Sequence, residues 1–342
     1  MSDSMKAGIY SGVGSVEFSR RPIPVSGDGE TLIKVESVGI CGTDMAIFSG
    51  KHPRAKAPLI MGHEVGGIVE RINGEQPDDF AVGSRVTFYP LISCGDCATC
   101  RSGKKYVCEN LKLIGIDSDG GMAEYVSVPT ESVIPVPGHW DKQWAALTEP
   151  VAVAVHALRR SSVKPGDSVL VLGAGIIGIL CGQMAMAAGA TKVVIADFIP
   201  YRLDIATESG MVAVNLNEDD LFKRADDFTG GTGFDVTMEC SGSAGAQQYT
   251  TAVTRVQGEI LVVGMPKEPP PVDLRILAFK ELTMTGTRVY EKIDFSRAVD
   301  LVEQAKINVA NLVSHEFSIE KIKEAFDCMA NAEKSLKILL TF

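Results

Sequence analysis

SVLVLGAGIIGIL, residues 168–180, is the stretch that decides how this chain is read. An apolar strand runs into Gly-Ala-Gly-Ile-Ile-Gly, and a helical pattern follows. Gly173 permits the tight turn, Gly175 lets the backbone approach a pyrophosphate, and Gly178 lets the helix pack close to the strand. The helix N-terminus offers free N–H groups and the positive end of a dipole to phosphates. The wider stretch 169–190 has 22 residues without a charge, which is the length of a membrane span. It starts after the turn-like KPGDS and breaks at Gly173, Ala174 and Gly175, so strand–turn–helix is the better reading.

Working outward, a second strand, KVVIAD, ends in Asp197, nineteen residues after Gly178. A carboxylate there hydrogen-bonds a ribose 2′-hydroxyl and repels a 2′-phosphate, which favours NAD over NADP. Arg202 follows and leaves the phosphorylated form open, because a nearby Arg can receive that phosphate. FDVTMECSG and EILVVGM read as later strands of the same parallel sheet, ending at Cys240 and at Val263 and Gly264. Strands alternate with helical patterns over 151–288, which implies βαβ units and an α/β, doubly wound Rossmann domain that binds NAD. The candidate cofactor contacts are Gly173, Gly175, Ile177, Gly178, Asp197, Arg202, Cys240, Val263 and Gly264.

Residues 1–150 differ: they are rich in Gly, Pro and short β-type runs such as TLIKVESVGI and SRVTFYP, which reads as a β-rich domain with a partly open barrel core. Within it, CGDCATCRSGKKYVC, 94–108, puts four cysteines into one loop with spacing C-x2-C-x2-C-x7-C. The other four, Cys41, Cys181, Cys240 and Cys328, are scattered. The bacterial ferredoxin run has its fourth Cys after three residues and then a Pro; here seven residues intervene and Glu109 follows. Cys94, Cys97, Cys100 and Cys108 fit a closed, redox-silent tetrahedral Zn²⁺ site that folds a polar loop, so the chemistry lies elsewhere. A second set supplies an open site: Cys41 in GICGTD, His63 and Glu64 in MGHEVGG, and Glu149 in LTEPVAVAVHAL. A catalytic zinc takes three protein ligands and keeps a fourth position for water or substrate, which Cys, His and one carboxylate provide.

Net charge is −10 and the sequence pI about 5.1, which opposes nucleic-acid binding and gives no basic stripe for an anionic membrane surface. MSDSMKAGIYSG lacks the charged-then-apolar pattern of a signal peptide, so a cytoplasmic location with reduced cysteines is expected. KEPPP, 267–271, reads as a surface loop. After Arg288 come two helical patterns, DFSRAVDLVEQAK and SIEKIKEAFDCMANAEKS, and a last strand, LKILLTF, expected to return to the first domain. A cleft between the domains is expected to bring nicotinamide and open metal site together.

Taken in order along the chain, GHE, the spaced cysteines and GxGxxG resemble the zinc-dependent medium-chain dehydrogenase/reductase family, over essentially the whole length. The resemblance implies a GroES-like zinc-binding catalytic domain, residues 1–150 and 289–342, around a Rossmann domain, residues 151–288. It implies two Zn²⁺ per chain: a catalytic ion on Cys41, His63 and a carboxylate, with Glu64 and Glu149 as candidates, and a structural ion on the four-cysteine lobe. Glu149, where primary-alcohol dehydrogenases typically place a Cys ligand, looks like the polyol and threonine branches. DGGMAEYVSVP, TEPVAVAVHALRR and TGTR look most like bacterial polyol and sugar-acid dehydrogenases of the L-galactonate or L-gulonate type. By the same resemblance the chain forms a homo-oligomer, a tetramer or dimer. One departure stands out: the family often has a His five residues after the Cys ligand, and here that position is Ala46, so proton release runs through water or another group, for which His52 is a candidate.

The expected reaction is oxidation of a secondary alcohol. Zn²⁺ lowers the pKa of the hydroxyl, Thr43 accepts its proton, and hydride moves to NAD⁺. Arg288 and Phe48 are the candidate substrate residues; a guanidinium fork suits a carboxylate, which favours a sugar acid over a polyol or L-threonine, and a salt bridge at the domain interface accounts for Arg288 equally well. The contrasting expectation is a non-catalytic NAD sensor on the same fold.

Overall fold

The strand Glu30–Ile40 organises the first of two compact units. In the computed structural model, which describes residues 4–266 and 268–342, this strand pairs antiparallel with Glu64–Asn73, Tyr125–Pro129 and Lys337–Thr341. The full sheet has seven strands and runs Val133–Pro135, Arg85–Phe88, Glu64–Asn73, Glu30–Ile40, Lys337–Thr341, Val313–Ser318, with Tyr125–Pro129 off this path. Its register with Glu64–Asn73 shifts between Leu32 and Ile33 and again between Val35 and Ser37. The extra residue of the first shift, Glu70, lies on the partner strand, and that of the second, Glu36, on Glu30–Ile40 itself; Thr31, Leu32 and Ile33 are all buried because both faces of this central strand are covered. Ser4–Gly12, Ser15–Pro22 and Leu59–Ile60 form a second, three-stranded sheet, and Leu91–Ile92 with Lys112–Leu113 form the hairpin at the base of the cysteine lobe.

The second unit is the doubly wound sheet. Six parallel strands run Val212–Asn215, Lys192–Asp197, Ser168–Leu172, Phe234–Glu239, Thr254–Val262, Thr283–Gly286. Chain order reverses between Ser168–Leu172 and Phe234–Glu239, which makes the carboxyl ends of these two strands the switch point. One core cluster collects Leu170, Leu172, Val194, Ala196, Val214, Leu221, Phe234 and Val253. Each Leu, Val or Phe among them contributes about 1.5–3 kcal/mol of burial free energy. The uncharged stretch 169–190 divides into the strand to Leu172 and the helix Ile176–Ala187, and no helix among the described residues is long and apolar enough to cross a membrane.

The units comprise Met1–Glu149, Glu291–Val299 and Val309–Phe342, and Pro150–Tyr290 with Asp300–Asn308. Both expected helical patterns are present, as Lys292–Glu303 and Ile322–Ala330, and the last strand joins the first unit's sheet. The tail is nonetheless divided: residues 300–308 group with the second unit rather than with the rest of 289–342. The Gln183 amide donates to the Asn308 carbonyl at 3.0 Å and the Asn308 N–H returns to the Gln183 Oε1 at 2.7 Å, which fixes this segment there. Of the loop expected at 267–271, Lys267 lies outside the described residues, and 268–271 form neither helix nor strand.

Candidate active site

Cys41 lies at the end of Glu30–Ile40 and opens the short helix Gly42–Phe48; His63 directly precedes the strand that Glu64 begins. Strand pairing sets Glu64 opposite Gly39. A Cβ at position 39 would come within 1.9 Å of Glu64 Oε2, so only glycine leaves room for this carboxylate beside the ladder. Ligand atoms of Cys41, His63 and Glu64 lie within 4.8 Å of one another. Glu149 is buried beside them, on the helix Lys142–Arg160 just before Pro150, and its charge helps raise the pKa of His63 and of Lys337.

Two further residues shape this pocket, and neither was found by sequence reasoning. Asp44, fully buried, accepts the Cys41 N–H at 2.8 Å with Oδ2 and turns Oδ1 toward His63 Nδ1 at 3.9 Å; neither of those last two atoms has a hydrogen-bond partner. With Nδ1 on the Asp44 side, Nε2 is the nitrogen left for the Cys41 side, and the Asp44 carboxylate acts on the ring through its charge rather than through a hydrogen bond. Lys337, 1% exposed, donates to both Glu64 oxygens at 2.7 and 2.6 Å and to the Ile40 carbonyl at 3.2 Å. A lysine at the head of an apolar strand is the one signal that LKILLTF carried.

Burial alone would lower the His63 pKa, but the hydrogen bond and charge of Cys41, then Asp44 and Glu149, raise it well above 6.5. Burial raises Asp44. Three buried carboxylates and a thiol thus face one lysine and one imidazole. This excess of negative donors, of thiolate, imidazole and carboxylate type, fits a zinc-like dication.

The cysteine lobe passes a geometric test. Sγ–Sγ separations are 4.0 Å for Cys94–Cys100, 3.9 Å for Cys97–Cys108 and 3.4 Å for Cys94–Cys108. A tetrahedron with metal–sulfur bonds of about 2.3 Å has edges of about 3.8 Å, whereas a disulfide needs about 2.05 Å. Backbone N–H groups of Cys94, Cys100 and Asn110 point at these sulfurs. The N–H groups of Glu109 and then Cys100 lower the Cys97 thiol to about 6, while burial raises Cys100 to about 12.

At the carboxyl edge of the parallel sheet the three glycines do different work. Gly173 has φ +101°, and a Cβ there would meet Ser241 at 2.9 Å; a Cβ on Gly178 would lie 1.8 Å from the Gly173 carbonyl. Around Gly175, which caps the helix Ile176–Ala187, a Cβ would meet nothing within 4 Å, leaving the open cradle a pyrophosphate needs. Ile177 is half-buried on the first turn of that helix. Asp197 ends its strand and accepts the N–H groups of Ala174 (2.6 Å), Phe198 (2.7 Å) and Ile199 (3.0 Å), so it also fixes the glycine loop. Arg202 is close enough for the Asp197 charge to act on it, although burial is the larger influence and lowers its pKa. Cys240, Val263 and Gly264 lie half-buried at the same edge, after the next two strands.

The remaining candidates separate. Thr43 Oγ1 is 3.8 Å from Cys41 Sγ and half-buried. The His52 Nδ1 accepts the N–H groups of Arg54 (3.4 Å) and Ala55 (3.2 Å), and burial, then Arg54, lowers its pKa; the ring caps a turn as a neutral group and its basic nitrogen is taken. Phe48 is half-buried and packs on Phe326 with ring centroids 5.3 Å apart. Arg288 is exposed, just past the strand Thr283–Gly286.

Comparison with known proteins agrees with this architecture. The family model of the alcohol dehydrogenase GroES-like domain matches residues 27–138, and that of zinc-binding dehydrogenases matches 177–304. The chain is 37% identical over 313 residues to 2-dehydro-3-deoxy-L-galactonate 5-dehydrogenase of Pseudoalteromonas atlantica, covering 91% of each chain. It is 34% identical over 327 residues to L-galactonate-5-dehydrogenase of Escherichia coli, covering 95% of each. Among solved structures, one described as a zinc-binding dehydrogenase of Sinorhizobium meliloti 1021, bound to NADP, superposes with a TM-score of 0.92 at 32% identity over 99% of both chains. The sequence, the two sheets and these likenesses place the chain in the zinc-type medium-chain alcohol dehydrogenase family of NAD(P)-dependent oxidoreductases.

Proposed function

We propose that the chain oxidises a secondary alcohol of a sugar acid with NAD⁺. The observation that carries the substrate class is Arg288: among the described residues it makes no ion pair or hydrogen bond, and it stands at the carboxyl edge of the parallel sheet, where doubly wound domains bind their ligands. A solvent-facing guanidinium fork is matched to a carboxylate. The two galactonate-type relatives support the same class.

Cys41, His63 and one of Glu64 and Glu149 would hold the catalytic zinc, which when bound supplies Lewis-acid polarisation of the alcohol oxygen. The nicotinamide supplies the hydride acceptor. Asp44 sets a negative charge beside His63, and Lys337 holds Glu64 in place. Thr43 Oγ1 takes the substrate hydroxyl proton and passes it on to solvent; with Ala46 in place of an imidazole and His52 Nδ1 occupied, no histidine stores it. Gly175 and the first turn of its helix cradle the pyrophosphate, and the Asp197 carboxylate takes the unphosphorylated ribose. Cys94, Cys97, Cys100 and Cys108 hold the structural ion.

The test is Arg288→Ala assayed on an aldonic acid and on its neutral polyol counterpart. The reading expects KM for the acid to rise at least tenfold with the polyol unaffected. Equal effects on both would overturn the sugar-acid assignment and favour a polyol substrate.

A further inference from the structure

Phe234–Glu239 ends in a buried carboxylate that has no cation. Glu239 is 0% exposed, and among the described residues no salt bridge includes it. Its Oε1 accepts the N–H of Ser241 (2.8 Å), the hydroxyl of Ser241 (2.5 Å) and the N–H of Gly242 (3.0 Å). Its Oε2 accepts the Gln247 amide at 2.8 Å and a longer bond from the Gly242 N–H at 3.2 Å. Three N–H and amide groups donate to it and the Ser241 hydroxyl can do so too, which is a shell that suits a carboxylate. The adjacent helix, Ala244–Val253, turns its positive end toward the same loop. Hydrogen bonds and a dipole make the ion tolerable but leave its charge unneutralised.

The place of this charge is specific. The Glu239 carbonyl receives the N–H groups of both Val263 and Gly264 at 2.8 Å. A Cβ on Gly264 would come within 2.9 Å of Glu239 Oε2, and one on Gly173 within 2.9 Å of Ser241. The carboxylate therefore lies under the loops that follow three adjacent strands, on the far side of the switch point from Asp197. In a doubly wound dinucleotide sheet the half beyond the switch point receives the nicotinamide. That ring is cationic in NAD⁺ and neutral in NADH. When the carbinol C–H bond breaks and its electron pair and hydrogen form the new C–H bond on the ring, the positive charge disappears.

We propose that Glu239 is a positioning residue that sets the redox preference of the bound dinucleotide: its fixed charge favours NAD⁺ and weakens the hold on NADH. This rests on the dinucleotide reading above. It extends it by assigning the bound oxidation state to a residue that need not touch the cofactor.

The experiment is measurement of Kd for NAD⁺ and for NADH, separately, on the zinc-loaded full chain. Glu239→Gln is close in shape: its amide oxygen takes the Ser241 side, and Gln247 can flip to accept from the new NH₂. The expected result is loss of NAD⁺ affinity relative to NADH by about three- to tenfold, the scale of one unit charge acting across a partly solvated site. Ser241→Ala disturbs the same network but keeps the charge, and leaves the ratio unchanged. The exchange Glu239→Gln with Gln247→Glu moves the charge across one hydrogen bond and restores the ratio. Should Glu239→Gln fail to fold, Ser243→Lys answers instead: it adds a cation at an exposed loop position whose side chain caps nothing, and shifts the ratio the same way. An unchanged ratio in the folded variant, or equal weakening of both nucleotides, overturns the inference and makes Glu239 a loop-fixing residue. Wild-type protein that binds neither nucleotide overturns the dinucleotide reading as well.

Discussion

Lys337 and Glu64 form a buried, two-pronged ion pair: the ammonium lies 2.7 and 2.6 Å from the two carboxylate oxygens, and both side chains are almost wholly out of water. The pair joins the last strand of the chain to the strand that opens with a proposed zinc ligand. Removing the lysine alone leaves a buried carboxylate uncompensated. Lys337→Met is expected to destabilise the first unit by about 3–5 kcal/mol, and the double variant with Glu64→Gln to recover most of it, read by chemical denaturation. The Lys337 pKa is raised above 10.5: burial opposes this, and the Glu64 charge and hydrogen bond outweigh it. A raised base stabilises fully below its unfolded value, so this contribution holds through neutral pH and is lost as pH rises above 10.5 through the folded value. The double variant should lack that alkaline loss.

His63 predicts how metal uptake depends on pH. Its pKa in the metal-free protein is raised well above 6.5, so the ring must lose a proton to become a ligand. Zinc affinity for the open site should rise with pH across the neutral range and level off above the His63 value. Calorimetry in buffers of different ionisation enthalpy should show proton release on binding. In the metal-free chain the linkage has the opposite sign, with His63 adding stability below pH 6.5 and losing it as pH rises. An affinity flat between pH 6 and 9 would contradict the assigned geometry.

Cys97→Ser and Cys100→Ser should each reduce zinc content from two ions per chain to one, measured by elemental analysis. The loop 94–108 is polar and is flanked by two-residue hairpin strands, so it should become the first site of proteolysis. NAD⁺ binding should be retained, because the glycine loop belongs to the other unit.

Thr43→Val should lower kcat by about 10²–10⁴, the usual contribution of a positioned proton acceptor, while Thr43→Ser keeps most activity and NAD⁺ affinity is unchanged in both. Turnover equal to wild type in Thr43→Val would remove Thr43 from the mechanism.

Asp197→Ala should weaken NAD⁺ binding at least tenfold and NADP⁺ binding less. The carboxylate serves both the ribose and the Ala174 N–H, so its loss loosens the glycine loop for either nucleotide but removes repulsion only for the phosphorylated one. A variant that loses both equally would show that Asp197 only fixes the loop.

What could be read from the sequence is what lies within one short segment. The glycine loop, the cysteine lobe and the pairing of GICGTD with MGHEVGG each depend on residues that fold locally or have unmistakable ligand chemistry. The residues that were missed act across distance. Lys337 meets Glu64 at a separation of 273 positions, and nothing in LKILLTF says which carboxylate it will face. Asp44 reads as an ordinary helix-start residue until the fold turns its second oxygen toward His63. Glu239 looks like a solvent-facing strand end, yet the crossing of three loops buries it. The assignment of residues 300–308 to the second unit was illegible for the same reason, since it follows from the reciprocal bonds of Gln183 and Asn308. His52 shows the converse: a plausible proton carrier by type, but one whose basic nitrogen the backbone has already claimed.

The most direct test of the account is the initial rate of NADH formation by the zinc-loaded chain at neutral to mildly alkaline pH, on aldonic acids, neutral polyols and L-threonine side by side. The account predicts turnover on aldonic acids that disappears when the open-site zinc is stripped and returns when it is restored. Turnover confined to polyols or threonine, or unaffected by removal of the metal, would contradict it.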